Sequence, residues 1–441
     1  MISHNNCLRY WKNKVKAFYN ITCWFKLEAM KNIKLHWQIL IAMVLGIIFA
    51  LIFEEQTIYV QPLGDIFMRL LKMVIVPLIF SSITFGVAGL DTKSLGRLGL
   101  KTFGYYALTS FVAIIIGLSL ANIIQPGMGV QLSDSTEAFD VSKLTTPSSL
   151  GGIIYRMIPT NPVSAAAGGD VLGLIFFSIA LGLAITLLDT KRKEPLLKFF
   201  DSFFHAMMKL TQIIIRLAPI GVFGLITKAV TNTGFELFKA IGMYMITIAI
   251  GLSFHIFIVL PLIFYIFTRI NPIHHFKAMA SAMAMAFSTS SSGATLPVTM
   301  DCVENKVGAS NRITSFVLPL GATINMDGTA LYECAGALFI AQILGLDLSL
   351  SMQITVVITA FLASVGAAAI PSAGLVMIFI VLNSIGLGDH PEVAIIVGTM
   401  LAVDRPLDMF RTMVNVFSDS VGTAIIAKSE GEKDLYPETL K

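Results

Sequence analysis

Charge is scarce in this chain: 13% of its 441 residues are Asp, Glu, Lys or Arg, about half the fraction usual in soluble proteins. Cysteine and tryptophan are also rare, at 4 and 3 residues. Such composition excludes an ordinary soluble enzyme, a disordered chain and a coiled coil. It also excludes a nucleic-acid binder, which needs a strongly basic surface, so we expect no nucleic-acid partner.

The 4 cysteines form no Cys-x-x-Cys pair and have no histidine cluster beside them, so neither a zinc site nor a redox pair is indicated. They are Cys7, Cys23, Cys302 and Cys334, which we interpret as reduced, structural thiols. The first apolar run begins only at Leu35, which does not fit a signal peptide. Met30, which precedes a compact basic flank, is an alternative start.

Apolar sequence is abundant instead: 55% of the residues are hydrophobic and the mean hydropathy is +0.79. A helix of about 20 apolar residues crosses the roughly 30 Å hydrocarbon core of a bilayer. Six runs are long enough: Leu35–Phe53, Ile58–Leu90, Leu100–Ile124, Val171–Leu188, Phe199–Val230 and Leu237–Thr268. We therefore predict an all-α integral membrane protein that spans the lipid bilayer several times.

Basic residues are distributed unevenly between these runs. They crowd the tail 1–34 and the short connections 91–101, 189–198 and 269–277, whereas the long connection 125–170 has few. Because short loops rich in Lys and Arg stay in the cytoplasm, we predict cytoplasmic N- and C-termini. The expected location is the inner (plasma) membrane of the cell.

After Lys277 the apolar pieces are interrupted by Ser, Gly, Pro, Asn and Asp. Segments 278–299 and 354–387 each have two apolar arms too short to span, which predicts two re-entrant helical hairpins. Segment 313–344 predicts a helix broken at Asn325–Thr329. Together these elements suggest an inverted repeat whose unwound backbone lines a binding site for ions and an anionic ligand. The alternative is that Gly and Pro only allow close helix packing.

The last apolar stretch, 393–427, has polar residues along one helical face. They are Asp404, Arg405, Asp408, Arg411, Thr412, Asn415 and Asp419. Ionisable groups at membrane depth are costly, at roughly 3 kcal/mol each by the lower scales, and therefore indicate a functional site. Arg411 suits a carboxylate and Asp408 an ammonium, while Thr412 and Asn415 suit polar ligand atoms. The alternative is an internal Asp408–Arg411 ion pair that only joins helices.

Two further groups of polar residues receive different interpretations. Asp419 lies at the end of the stripe, where it could join Asn325 around a sodium ion, whose hard charge prefers oxygen ligands. His274 and His275 lie beside Lys277 in a predicted cytoplasmic connection. We expect these histidines to be solvated rather than to bind a metal.

Three motifs together are highly specific: Ser290–Thr299, Gly321–Glu333 and Leu407–Asp419. They closely resemble the dicarboxylate/amino acid:cation symporter family, the glutamate transporters. The resemblance extends from about Ile33 to Lys428 and includes the segment Leu71–Pro77 in the second run.

The resemblance implies eight transmembrane helices plus two re-entrant hairpins, arranged as inverted repeats in a homotrimer. It also implies an elevator mechanism, in which a transport domain moves against a fixed scaffold. The expected division is a cytoplasmic tail 1–34, scaffold helices 1 and 2 in 35–99, helix 3 of the transport domain in 100–124, scaffold helices 4 and 5 in 171–230, the transport-domain core 237–428 and a cytoplasmic tail 429–441.

Substrate contacts follow from the resemblance residue by residue. Arg411 is similar to the residue that binds the side-chain carboxylate, and Asp408 to the partner of the amino group. The full expected set is Arg411, Asp408, Thr412, Asn415, Thr329, Ser291, Ser292, Ala368 and Gly374. No organic cofactor is implied.

Sodium ions are the implied coupling ions, at three sites. The first comprises Asn325, Asp419 and the Asn415 carbonyl; the second Tyr106, Thr109, Ser110, Asn325 and Asp327; the third Ser364, Val365, Ala367 and Thr323. Glu333 resembles the proton carrier of animal glutamate transporters, and a buried, structural glutamate is the alternative.

Two positions depart from the family pattern. Family members have an arginine near the substrate-binding aspartate, either at the first hairpin's tip or directly after that aspartate. Here the tip is serine and Met409 follows Asp408, which leaves Arg405 as the candidate replacement. At the second hairpin's tip, Ala369 occupies a position where glycine is usual, and alanine adopts positive φ less readily.

The predicted function is therefore secondary active uptake of glutamate or aspartate driven by sodium, and the chain is not expected to be an enzyme. The alternatives are a C4-dicarboxylate:cation symporter, a proton-coupled glutamate carrier and, more remotely, an anion channel. An intramembrane aspartyl protease using Asp327 and Asp408 is disfavoured, because the sequence lacks the combination of a Gly-x-Gly-Asp motif with a Tyr-Asp pair.

Overall fold

The computed structural model describes residues 35–89, 97–130, 158–168, 170–233, 236–365, 373–388, 390–432 and 435–436. All regular structure in these ranges is helical. Several predictions lie outside the described residues: the tail 1–34 with Met30, Cys7 and Cys23, most of the connection 125–170, and the tip of the second hairpin with Ala367, Ala368 and Ala369.

The predicted apolar runs form helices, with one run divided. The helices are α1 (Leu35–Ile52), α2 (Gln61–Ala88), α3 (Arg97–Ile124), α4 (Pro162–Ala167), α5 (Val171–Thr186), α6 (Thr190–Arg216) and α7 (Ala218–Thr233). The single run predicted over 199–230 is divided between α6 and α7, whose axes differ by 54°. The bend lies before Pro219, which donates no backbone hydrogen bond and whose ring would clash with the preceding turn.

The sixth run is a helix interrupted by one wide turn. Helix α8 (Glu236–Phe254) continues through a π-helical turn, His255–Val259, into α9 (Leu260–Thr268). Pro261 is the second residue after this turn and cannot donate to the carbonyl of Phe257. The turn points His255 into the core, where it is fully buried.

The first predicted hairpin is confirmed as two packed helices, α10 (Pro272–Thr289) and α11 (Ser292–Cys302). Ser290 ends α10 in the left-handed conformation, with φ of 50°. Ser291 begins α11 by accepting a hydrogen bond at its Oγ from the backbone N–H of Ala294. The tip is therefore a sharp turn, formed by the left-handed backbone of Ser290 and the capping hydroxyl of Ser291.

The predicted break in the next helix is also confirmed. Helix α12 (Asn311–Ile324) ends before Asn325, and α13 begins at Asp327 and ends at Ile343. Helix α13 is buried along almost its entire length. The second hairpin has arms α14 (Leu350–Val365) and α15 (Ala373–Ser384), and α16 (Pro391–Ser429) follows.

The helices fall into two packing groups. Helices α1, α2, α5, α6 and α7 pack mainly on one another, whereas α3 and α8 to α16 pack around α13 and α16. Helix α2 also contacts α15 and α16, and α7 contacts α16, which joins the groups. By length and composition, three of the described helical segments could each cross a membrane, or four if the bent pair α6 and α7 is one span.

The C-terminal end of α16 is tied to neighbouring elements. Lys101 Nζ lies 2.5 Å from Glu430 Oε1, and this hydrogen bond lowers the pKa of the Glu430 carboxyl below its usual range.

The prediction that His275 is solvated is wrong. Its imidazole is buried and lies 2.6 Å from the Tyr436 hydroxyl and 2.9 Å from Ser420 Oγ, because Tyr436 packs against it.

Gly224 tests the packing of α7 on α2. A Cβ at Gly224 would come within 2.7 Å of Gly64 N and 2.8 Å of Val60 O, which are backbone atoms that cannot move aside. We expect Gly224→Ala to destabilise the fold by about 1–3 kcal/mol, as overpacking does, and to lower the thermal midpoint in detergent. Gly104→Ala is the matched control, because an added Cβ there meets nothing within 4 Å. Equal midpoints for the two variants would contradict this packing.

Candidate functional site

The polar stripe of α16 is buried in the centre of the second packing group. Asp404, Asp408, Arg411, Asn415 and Asp419 are each at most 5% exposed. Helix α16 packs against the broken helix α12–α13 and against both arms of the first hairpin. Apolar residues between the polar positions are also buried, so the stripe faces protein rather than lipid.

Arg411 is almost completely buried, with 1% of its side chain exposed. Its Nη2 lies 3.0 Å from Asp408 Oδ1 and 3.1 Å from Asp404 Oδ1. Its Cζ lies 3.7 Å from the centre of the Tyr332 ring, a cation–π contact. Its Nε and Nη1 have no hydrogen-bond acceptor among the described residues. Two buried donor groups are thus available to an anionic ligand.

The internal ion pair considered as an alternative is present, but it lies within one helix. Asp408 and Arg411 are three residues apart on α16, so their pairing joins no second element. Arg405 Nη1 lies 3.4 Å from Asp408 Oδ2. Arg405, the candidate replacement for the family's arginine, therefore contacts this aspartate.

The break between α12 and α13 brings Thr329 against α16. Asn415 Oδ1 accepts a hydrogen bond of 2.8 Å from the Gly328 N–H, and Asn415 Nδ2 donates one of 3.3 Å to Thr329 Oγ1. This approach requires glycine, because a Cβ at Gly328 would lie 2.9 Å from the Arg411 carbonyl oxygen. The structure therefore brings Thr329, Asn415 and Arg411 together, as the sequence predicts.

Asp327, the first residue of α13, is fully buried among donors from three helices. Its Oδ1 accepts a 2.8 Å hydrogen bond from Ser110 Oγ, and its Oδ2 accepts one of 2.6 Å from Ser418 Oγ. The Nε2 of His255 lies 3.1 Å from the same Oδ2. Sequence reasoning missed His255 and Ser418. For His255, the available signal was a lone histidine in an apolar run that Pro261 interrupts.

Asn325 and Asp419 form a second oxygen-rich group close to Asp327. Asn325 Nδ2 donates hydrogen bonds of 2.9 Å to Asp419 Oδ1 and 3.1 Å to Ser418 Oγ. The Asn325 Oδ1 is buried and accepts no hydrogen bond from the part of the chain described. Gly321 permits the approach, because a Cβ there would lie 2.6 Å from Asp419 Oδ1 and would collide with the Tyr106 hydroxyl.

Several other predicted residues make hydrogen bonds within their own helices. Ser292 is buried at the start of α11, which packs against α16. Thr109 Oγ1 donates to backbone carbonyls of its own helix, and Ser364 Oγ donates 2.8 Å to the Phe361 carbonyl. Thr323 is exposed and donates to the carbonyls of Pro319 and Leu320.

Gly374, at the start of the second arm of the second hairpin, lies beside Arg411. A Cβ at Gly374 would lie 2.8 Å from Arg411 Nη1. Glu333 lies one turn beyond Thr329 on α13 and is fully buried. Neither of its carboxyl oxygens has a hydrogen-bond partner within the described ranges.

Known proteins resemble this chain over most of its length. The model of the sodium:dicarboxylate symporter family matches residues 35–429. Excitatory amino acid transporter 3 of Mus musculus is 39% identical, over 89% of this chain and 85% of the relative. The proton/sodium-glutamate symport protein of Bacillus caldotenax is 38% identical, over 91% and 96%. The proton/glutamate-aspartate symporter of Escherichia coli strain K12 is 37% identical, over 92% and 95%.

Removal of Arg411, the buried cation of this cluster, is expected to lower the free energy of unfolding strongly. In Arg411→Gln, Asp404 and Asp408 would lose their buried counter-charge, which costs about 3–5 kcal/mol. We therefore expect a strongly lowered thermal midpoint, partly restored in the double variant Arg411→Gln/Asp404→Asn. The control is Arg192→Gln, because Arg192 forms an exposed pair with Asp189, which contributes at most about 1 kcal/mol. Equal losses in the two single variants would contradict the cluster.

Proposed function

Because this chain belongs to the sodium:dicarboxylate symporter family, we propose that it takes up acidic amino acids, glutamate or aspartate, by symport with sodium. The family consists of transporters, and the chain is a multi-pass membrane symporter rather than an enzyme. The observation that carries the substrate class is Arg411, whose guanidinium is buried with two donor groups unused among the described residues.

The side-chain carboxylate of the substrate would bind Arg411. A guanidinium binds a carboxylate through two parallel hydrogen bonds, which suits the second acid group of glutamate or aspartate. Asp408 would receive the ammonium, and Thr412, one turn further on α16, would add a hydroxyl. Thr329 and Asn415 would complete the contacts, since both lie beside Arg411 at the break.

The α-carboxylate would bind at the hairpin tips. Ser291 and Ser292 stand at the start of α11, where backbone N–H groups and the positive end of the helix dipole favour an anion. We assign Gly374, beside Arg411 Nη1, to the opposite side of the substrate. Ala368 is proposed from the family resemblance alone.

Three sodium sites accompany the substrate in this proposal. The mutual contacts of Asn325, Asp419, Ser110 and Asp327 support the first two, with the Asn415 carbonyl completing one and Tyr106 and Thr109 completing the other. Sodium prefers such oxygen ligands. The third site would use Ser364, Val365 and Thr323 with Ala367 and rests on the resemblance.

Glu333 is the proposed proton carrier. A buried carboxyl without a hydrogen-bond partner in the described structure is costly to ionise. Two of the relatives are named as proton/sodium-glutamate and proton/glutamate-aspartate symporters. The same carboxyl would be neutral when protonated, so it could cross the membrane with the substrate.

The two packing groups support the division into a fixed scaffold and a moving transport domain. Helices α1, α2 and α5 to α7 would form the scaffold, and α3 with α8 to α16 would form the transport domain. We further propose the family's eight spans with two re-entrant hairpins, inverted repeats, a homotrimer and elevator motion. We also propose a plasma-membrane location with both termini in the cytoplasm, an orientation that the distribution of basic residues supports.

A C4-dicarboxylate symporter is the second candidate function. It is favoured by one observation: Asp408 already has two arginine partners, Arg405 and Arg411, and so is neutralised without an ammonium. Uptake into proteoliposomes separates the two, with radiolabelled aspartate, glutamate or succinate and with sodium, proton and potassium gradients imposed one at a time. Succinate accumulation without aspartate uptake would overturn the amino-acid assignment.

Arg411→Cys tests the carboxylate contact. We expect uptake of aspartate and glutamate to fall at least tenfold, since a bidentate charged contact is lost, while binding of a neutral amino acid is not weakened. Initial rates in proteoliposomes measure both, with Arg192→Cys as the exposed control. An unchanged apparent affinity for aspartate would remove Arg411 from the site.

Gly321→Ala tests the oxygen-rich group. The added Cβ would push Asp419 and Tyr106 away from Asn325, so we expect a several-fold higher sodium concentration for half-maximal uptake. Substrate affinity at saturating sodium should change less. The matched control is Gly242→Ala, where an added Cβ meets nothing within 4 Å. If both variants require the same sodium concentration as the wild type, the group does not bind sodium.

A further inference from the structure

Asp404 has no role in the proposed site, although it is as deeply buried as Arg411. Its carboxylate is 1% exposed, one turn before Asp408 on α16. Its contact with Arg411 involves both oxygens, since Nη2 lies 3.1 Å from Oδ1 and 3.3 Å from Oδ2. A buried charge of this kind is retained only with a counter-charge, and Arg411 supplies it.

The contact uses the one nitrogen of Arg411 that both bidentate edges share. A guanidinium presents two such edges, Nε with Nη2 and Nη1 with Nη2. Asp404 and Asp408 both lie on Nη2, whereas Nε and Nη1 have no acceptor in the described structure. An incoming carboxylate therefore cannot form two parallel hydrogen bonds until one aspartate releases Nη2.

Asp404 is the aspartate better suited to release it. Asp408 and Asp404 lie almost equally close to Nη2, with shortest distances of 3.0 and 3.1 Å, but Asp408 is the proposed partner of the substrate ammonium, which would keep it in place. The hydrogen bond from Nη2 to Asp404 Oδ2 is longer, at 3.3 Å, and Asp404 Oδ1 accepts no hydrogen bond of good geometry from the described residues. Arg411 would thus exchange the aspartate with the longer hydrogen bond for the substrate carboxylate.

We propose that Asp404 is an internal stand-in for the substrate carboxylate, which neutralises Arg411 when the site is empty and competes with substrate for Nη2. This role rests on the proposed function. The charges of Arg405, Asp408, Arg411 and Asp404 sum to zero in the empty site, which eases its movement past lipid. The same competition lowers the affinity for acidic substrate, because the substrate must displace a charged partner.

Neutralising Asp404 should therefore tighten substrate binding. An amide or hydroxyl holds Nη2 about half as strongly as a carboxylate does, so we expect Asp404→Asn and Asp404→Ser to bind L-aspartate about fivefold more tightly at saturating sodium. A residue that only supported the fold would weaken binding when replaced. Exchange of internal for external aspartate should continue in both variants, while net uptake slows because the empty site is positively charged.

The measurements are equilibrium binding of L-aspartate to purified protein, and exchange and net uptake in proteoliposomes. Asp301→Asn is the matched control, because Asp301 is exposed and accepts a hydrogen bond from Asn305, four residues further on, and it should behave as wild type. Asp408→Asn, on the same nitrogen, should weaken binding instead, since Asp408 is the proposed ammonium partner.

The outcomes separate this inference from the function on which it rests. If the wild type takes up no acidic amino acid, the proposed function fails. If the wild type does so, and neither neutral variant binds L-aspartate more tightly, the role of Asp404 is overturned. Tighter binding in either folded variant, with exchange faster than net uptake, supports it.

Discussion

The guanidinium of Arg411, removed from water in the centre of a largely apolar protein, is the constraint on which the site depends. A charge in such surroundings needs counter-charges and hydrogen-bond partners. Asp404, Asp408 and the ring of Tyr332 supply them. They leave part of the guanidinium unused among the described residues. The cluster is therefore stable enough to persist when empty and incomplete enough to bind an anion.

The surrounding fold brings polar groups to Arg411 by interrupting its helices. The break after Ile324 exposes the N–H of Gly328 to Asn415 and sets Thr329 beside α16. The π-helical turn in the sixth run brings His255 to Asp327. At the break, the Asn415 side chain satisfies a backbone N–H that the interrupted helix leaves unpaired, as irregular backbone at membrane depth requires.

Much of the architecture could be predicted from the sequence, because its causes are local. Hydrophobic length predicts most of the helices, and the first hairpin and the break at Asn325 follow from short polar interruptions. The bend between α6 and α7 was missed because its flanks read as one apolar run. His275 was assigned to solvent because nothing in its own segment shows that Tyr436, 161 residues later, covers it.

The sequence by itself determined the class of protein and the residues that meet at the site, since charge so scarce in apolar sequence is retained only for function. Helical spacing alone places Asp404, Asp408 and Arg411 on one face of α16. Only the tertiary structure decided which atoms pair. The position of Nη2 between two aspartates and the contact of His255 with Asp327 depend on side-chain orientation and helix packing, which the order of residues along one segment does not specify.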